Sequence, residues 1–200
     1  MLVLIRVLSR SSLVVLQKKF MRSNQTPKCF DILKRTAGRN VVLSPLALSN
    51  AAGDMEFRVP RYGKHSYSNQ GGTLSAIKVN EDYAAMPVKA ARLDGLDLQN
   101  IGFIKIDVEG SESEVLQGAR EVIARDRPTL MIEIEEKHTQ VPIENALAEV
   151  LALDYDGFFF DRTTQALRSI SCFEPEQHHR DPRKGYVFNF IFLPKSEERN

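Results

Sequence analysis

The stretch from Phe103 to Glu135 restricts the fold more than any other part of the chain. FIKIDV is an apolar run that ends in an acid, SESEVLQGAREVIARD carries apolar residues at helical spacing, and RPTLMIEIE is a second apolar run closed by acids. Parallel neighbouring strands need a crossover of a dozen or more residues, usually helical, and this segment supplies one. Val115, Ala119, Val122 and Ile123 fall on one helical face, Ser111 and Glu114 fit the Ser-x-x-Glu capping box, and Pro128 ends the helix.

The flanking segments continue the pattern. Downstream, IENALAEVLALD reads as a second amphipathic helix, and GFFFD and YVFNFIFLPK read as strands. Upstream, CFDILKRTAG predicts a short helix stopped by Gly38, NVVLSPLALS a buried strand over Asn40–Ser49, and MEFRVP an alternating strand after the turn NAAGD. Residues 61–80 are polar, rich in Gly, Ser and Asn and free of acids, which predicts a long loop, and MPVKAARLDGL predicts an extended segment ending in a turn. Alternating strands and helices imply an α/β domain built on a parallel sheet.

Composition narrows the function classes. The whole chain of 200 residues carries a net charge of +1, too little to pull it toward nucleic acid. That total hides a division: residues 1–28 hold six basic residues and no acid, which leaves the remainder at −5. The acid-free start is compatible with an organelle transit peptide, with a membrane-surface segment, or with a stretch that is not the native beginning of a domain. No run approaches the roughly 18 apolar residues a transmembrane helix needs. Cys29 and Cys172 stand far apart outside any ligand-spaced motif, and His178 and His179 lie in a polar segment expected to be a solvated loop, so no metal site is expected from Cys or His. No phosphate loop, His-Glu-x-x-His or Gly-x-Ser-x-Gly elbow is present.

The chemistry-bearing positions sit where an open parallel sheet binds its ligands, beyond the carboxyl ends of the strands. Asp107 closes FIKIDV, Glu109 lies in the connection to the helix, and Gly110 allows a tight turn. Two acids at that mouth can hold a hydroxyl, bind a cation or accept a proton, although Glu109 and Glu112 could equally serve only as helix caps. Lys105 points the same way as Asp107 by strand periodicity, or snorkels at the core edge. His65 in the long loop and Glu133 at the end of the next strand are further candidates for substrate contact.

IKIDVEGSESEVLQGA followed by RPTLMIEIE closely resembles the FkbM-type S-adenosylmethionine-dependent methyltransferases. The likeness extends to CFDILKRTAGRNVVLSPLALSNAAGDMEFRVP, to VKAARLDGL and to the closing YDGFFFD and VFNFIFLPK, roughly residues 29–195, with 196–200 as a tail. The resemblance implies a Rossmann-like doubly wound methyltransferase sheet with FIKIDV as its fourth strand. It implies catalytic or pocket-shaping roles for Asp107, Glu109 and Lys105, and cofactor contacts from Ala47, Leu48, Ser49 and Asp107. Related O-methyltransferases bind a divalent ion at this strand end, a role open to Asp107. The implied cofactor is S-adenosylmethionine, and the implied partner is a small-molecule, sugar or lipid-linked methyl acceptor rather than nucleic acid.

The pattern breaks before Cys29. The family begins with a strand and a Gly-rich turn that holds the methionine end of the cofactor, then a second strand ending in an acid for the ribose hydroxyls. Residues 1–28 contain no glycine and no acid. The sheet is therefore expected to be incomplete, with its first two strands missing and its exposed edges open to oligomerisation. Two functions follow: a methyltransferase acting on oxygen, or a methyltransferase-like module without catalysis. The expected location is the cytoplasm, or an organelle or membrane surface if residues 1–28 direct the chain there.

Overall fold

A computed structural model describes residues 2–7, 12–17, 39, 41–62, 66–67, 72–75, 83–181, 183 and 185–196. Twelve strands form in chain order among them: β1 Leu2–Val7, β2 Ser12–Gln17, β3 Val41–Ser44, β4 Ala47–Leu48, β5 Gly53–Tyr62, β6 Ser66–Tyr67, β7 Tyr83–Ala91, β8 Ile101–Asp107, β9 Thr129–Glu133, β10 Tyr155–Asp161, β11 Ala166–Ser169 and β12 Asn189–Pro194. The helices are α1 Glu112–Gln117, α2 Arg120–Asp126, α3 Glu136–Thr139, α4 Ile143–Leu151 and α5 Pro175–His178. The main sheet has eight strands in the order β11-β10-β12-β9-β8-β1-β2-β3, and β4, β7, β5 and β6 make a second sheet of four.

The crossover read from the sequence is present. β8 and β9 pair in parallel, with Ile104 beside Leu130 and Ile106 beside Ile132. These four residues are buried with Val115, Val122, Ile123 and Val150 of the helices, so one face of the sheet carries the core. Because strand residues alternate, Lys105, Asp107, Met131 and Glu133 take the other face. β12 is antiparallel to β9 and β10 antiparallel to β12, so β8, β9 and β10 all end at one edge of the sheet.

The glycine-free N-terminus joins this sheet. β1 pairs with β8, Leu2 opposite Asp107 and Ile5 opposite Ile104, and Val3 and Ile5 are completely buried. β2 pairs with β1 and then, in parallel, with β3. β8 is thus not left without a partner, contrary to the expectation of an incomplete sheet: β1 and β2 fill the gap. Their direction differs from an ordinary crossover, since β1 runs antiparallel to β8 and the connection to β2 leaves from the end paired with Ile101.

Three local expectations are corrected. Asn40–Ser49 is not one strand: Pro45 has no N–H for a ladder, and the chain divides there into β3 of the large sheet and β4 of the small one. The long helix after Asp107 is two helices. The carbonyl of Gly118 accepts a hydrogen bond from the Asp94 N–H at 3.0 Å, and the Asp94 carboxylate accepts from the Val122 N–H at 3.0 Å, so a distant residue caps α2 in mid-segment. The Ser111 side chain makes no cap bond; Glu112 instead braces the turn that precedes the helix, its Oε1 accepting from the Gly110 N–H at 3.0 Å. The 61–80 segment is described only in part, and there it adds β6 and a bridge from Thr73 to Arg58. The helix expected over Cys29–Gly38 and the loop residue His65 lie outside the described residues.

Candidate active site

Strand alternation brings Asp107 and Glu133 to one edge of neighbouring parallel strands, and a strained turn adds Glu109. Glu109 has φ 59° and Gly110 φ 102°, both left-handed, a conformation a glutamate adopts only when its surroundings hold it there. One restraint is steric. A Cβ on Gly110 would lie 2.6 Å from the His138 carbonyl oxygen, so this turn packs directly on the backbone of α3. Asp107, Glu109 and Glu133 each offer a carboxylate oxygen, all within 4.8 Å of one another.

Three carboxylates that close repel, and the surroundings answer in different ways. Lys105 places its ammonium 2.5 Å from Asp107 Oδ2, so it is an ion-pair partner of the site and not a snorkelling edge lysine. His138 Nδ1 stands 3.2 Å from Glu109 Oε2. Glu133 is pushed up to about 7, chiefly by burial and then by the charges of Asp107, Glu135 and Glu109, with Lys105 opposing. A carboxyl group balanced near neutrality is suited to take a proton from a bound hydroxyl. The same three oxygens have the spacing to share a cation.

Behind this edge lies a network that sequence reading did not find. Glu135 is buried, yet its carboxylate is held below the usual range: burial acts upward, but hydrogen bonds from Lys137 and Tyr186 and the nearby His138 outweigh it. Tyr186 Oη donates to Glu135 Oε2 at 2.6 Å, and His138 lies 3.6 Å from Glu135 Oε1. His138 thus links buried Glu135 to Glu109 at the site. His179 is also buried, its Nδ1 2.7 Å from the Val187 carbonyl and its ring stacked on Tyr186, while His178 packs against Phe159 and Phe173. His179 is therefore a core group and His178 is half-buried against the aromatic cluster, so neither lies in a solvated loop. The acids at 133 and 135 were visible in RPTLMIEIE, but Tyr186, 51 residues from Glu135, had no local signal.

The other expected contacts lie apart from this cluster. Ala47, Leu48 and Ser49 are buried. Ser49 packs at the far end of α1, where a Cβ on Gly118 would meet its carbonyl oxygen at 2.1 Å.

The arrangement is a mixed α/β sheet of the Rossmann-like methyltransferase type, with acids at the carboxyl edge of its parallel strands. The Methyltransferase FkbM domain matches residues 20–170, and the chain belongs to that family. Methyltransferase FkbM from Methylobacillus flagellatus KT, known from a crystal structure, is 16% identical, with a TM-score of 0.47 over 82% of this chain and 32% of that one. The chain therefore spans about a third of that protein's length. No curated protein matches the sequence.

Membership implies a methyl-donor cofactor, and the strand beside β8 offers it no glycine-rich turn at the edge that holds Asp107. The place next to β8 belongs to β1, whose connection to β2 leaves from the opposite edge. Residues 1–37 contain no glycine, and β2 ends at Gln17, outside the residues that match the family domain. Among the described residues no helix is long and apolar enough to cross a membrane.

Proposed function

We propose that this chain serves S-adenosylmethionine-dependent methylation of an oxygen nucleophile on a small-molecule, sugar or lipid-linked acceptor, and that its own residues form the acceptor side of the site. The observation that carries the reading is the meeting of Asp107, Glu109 and Glu133 at the carboxyl edge of β8 and β9. Methyl transfer asks mainly for positioning of two reactants and removal of one proton. Asp107, fixed by Lys105, and Glu109, fixed by His138, orient the acceptor hydroxyl. Glu133, balanced near neutrality, takes its proton.

A second reading, a methyltransferase-like module without catalysis, is favoured by the antiparallel β1 beside β8, which carries no glycine. Calorimetric titration of S-adenosylmethionine into the 200-residue chain separates the two. Micromolar binding, about −8 kcal/mol, supports the enzyme and requires a donor site of a different design from the family's. Radiolabelled methyl transfer to a panel of sugars, phenols and lipids should then fall at least tenfold in Asp107→Asn and Glu109→Gln. No heat of binding to a folded chain favours the module.

A further inference from the structure

Beyond the carboxyl end of β10 lies a depression of about 450 Å³, lined by Arg162, Thr163, Gln177, His178, Arg183 and Gly185. Two turns and one helix end form it. Arg162 and Thr163 follow Asp161, the last residue of β10; Gln177 and His178 close α5; and Gly185, with φ 95°, turns the chain toward β12. A Cβ on Gly185 would lie 3.9 Å from the Arg162 Cβ, so the two turns stand side by side. His178 packs on Phe159, which the strand register places on the same face as Phe190 and Ile132, so the depression lies on the helical side of the sheet and the carboxylates on the other.

The lining offers hydrogen-bond donors and, among the described residues, no acid. Three neighbouring acids are engaged. Asp161 accepts from the Thr163 N–H at 2.8 Å and pairs with Arg168 at 3.1 Å. Asp181 holds one edge of Arg183 through contacts of 3.0 and 3.1 Å, and Glu174 accepts from the Gln177 side-chain amide. Arg162 is left over: among the described residues its guanidinium has no hydrogen bond or ion pair, and only its carbonyl is engaged, by Gln165. His178 adds a donor of fixed orientation. Its Nδ1 accepts from the Glu174 N–H at 2.9 Å, which puts the neutral ring's proton on Nε2. Phe159 and Phe173 lie against the ring with centroids 4.9 and 5.5 Å away, so Nε2–H is the group the imidazole presents to the depression. The His178 carbonyl, which would repel an anion, is taken by the Val187 N–H at 2.6 Å.

We propose that this depression binds the phosphate group of a phosphorylated ligand. Arg162 and the remaining edge of Arg183 supply charge, and His178 Nε2–H and the Thr163 hydroxyl supply hydrogen bonds. The sign of the charge excludes a cation. The directions of the donors separate phosphate from carboxylate. A carboxylate's two oxygens lie in one plane and are satisfied by a single guanidinium fork, whereas donors arriving from the turn after β10, from α5 and from the turn at Gly185 suit three oxygens set around one phosphorus. The site stands independently of the methyltransferase reading, because it uses none of Asp107, Glu109 or Glu133.

The test is an NMR titration of the full chain at pH 7.5 and constant ionic strength, read on the His178 imidazole and the Arg162 Nε–H signals. Inorganic phosphate, glucose 6-phosphate and acetate are the soluble probes, and vesicles of phosphatidylcholine with and without phosphatidic acid are the lipid ones. Phosphate is expected to shift both signals saturably at millimolar concentration, with acetate at least tenfold weaker. Arg162→Gln, a change to an exposed side chain, should weaken phosphate at least tenfold, read on His178. Tighter binding of glucose 6-phosphate than of phosphatidic acid vesicles would assign the phosphate to a soluble ligand, and the reverse to a lipid headgroup; either agrees with the proposal. Equal affinity for acetate and phosphate overturns it, as does the absence of saturable shifts or an unchanged phosphate affinity in Arg162→Gln.

Discussion

Replacing Glu112 by glutamine is expected to make the chain more stable above neutral pH and to leave it nearly unchanged in mild acid. Burial raises the Glu112 carboxyl from 4.5 to about 7, against the hydrogen bond from Gly110 that acts the other way. In the unfolded chain the same group loses its proton near its ordinary value, so between those two pH values the folded state binds more protons. Stability is then fully present below about pH 4.5 and falls as pH rises through about 7. At roughly 1.4 kcal/mol per unit, this window is worth about 3 kcal/mol. Glutamine has no proton to lose and retains the oxygen that accepts from Gly110, so the slope contributed by this residue disappears. Glu133, also raised to about 7, contributes in the same direction in both proteins and cancels in the difference. Urea denaturation followed by circular dichroism from pH 4.5 to 8.5 measures it. A gap between variant and wild type that opens by 1–3 kcal/mol across that range agrees; a gap independent of pH refutes the reasoning.

Gly118→Ala should destabilise by about 1–3 kcal/mol in urea melts, against the stabilising sign that helix propensity alone gives, because the added Cβ meets the Ser49 carbonyl oxygen at 2.1 Å. Gly110→Ala should cost about 2–4 kcal/mol from left-handed strain and contact with the His138 carbonyl, and it should also shift the His138 imidazole resonances, since the same turn carries Glu109. Ile5→Ala should lower stability by about 2–5 kcal/mol, as Ile5 is wholly buried in the middle of the large sheet; a silent substitution would mean that β1 is a dispensable appendage.

The backbone plan of the central unit was legible because burial imposes a period on sequence. FIKIDV and TLMIEIE alternate or run apolar as buried strands must, and Val115, Val122 and Ile123 return at helical spacing, so β8, the helical crossover and β9 follow from local pattern alone. The same alternation placed Asp107 and Glu133 on one face at one edge, and the Glu-Gly after Asp107 marked the turn. What pattern could not supply was anything fixed by contact between distant residues. Asp94 splits the helix at Gly118 through two hydrogen bonds that no local rule anticipates. His138 and Tyr186 reach the site only because α3 and the segment before β12 fold back on the ends of β8 and β9. The N-terminus carried no family motif, yet its apolar runs can pair with any strand edge that offers free N–H and C=O groups. Only the assembled sheet decided that β1 lies beside β8 and in which direction it runs, because register and polarity are settled by partners, whereas the period of a strand is settled by its own residues.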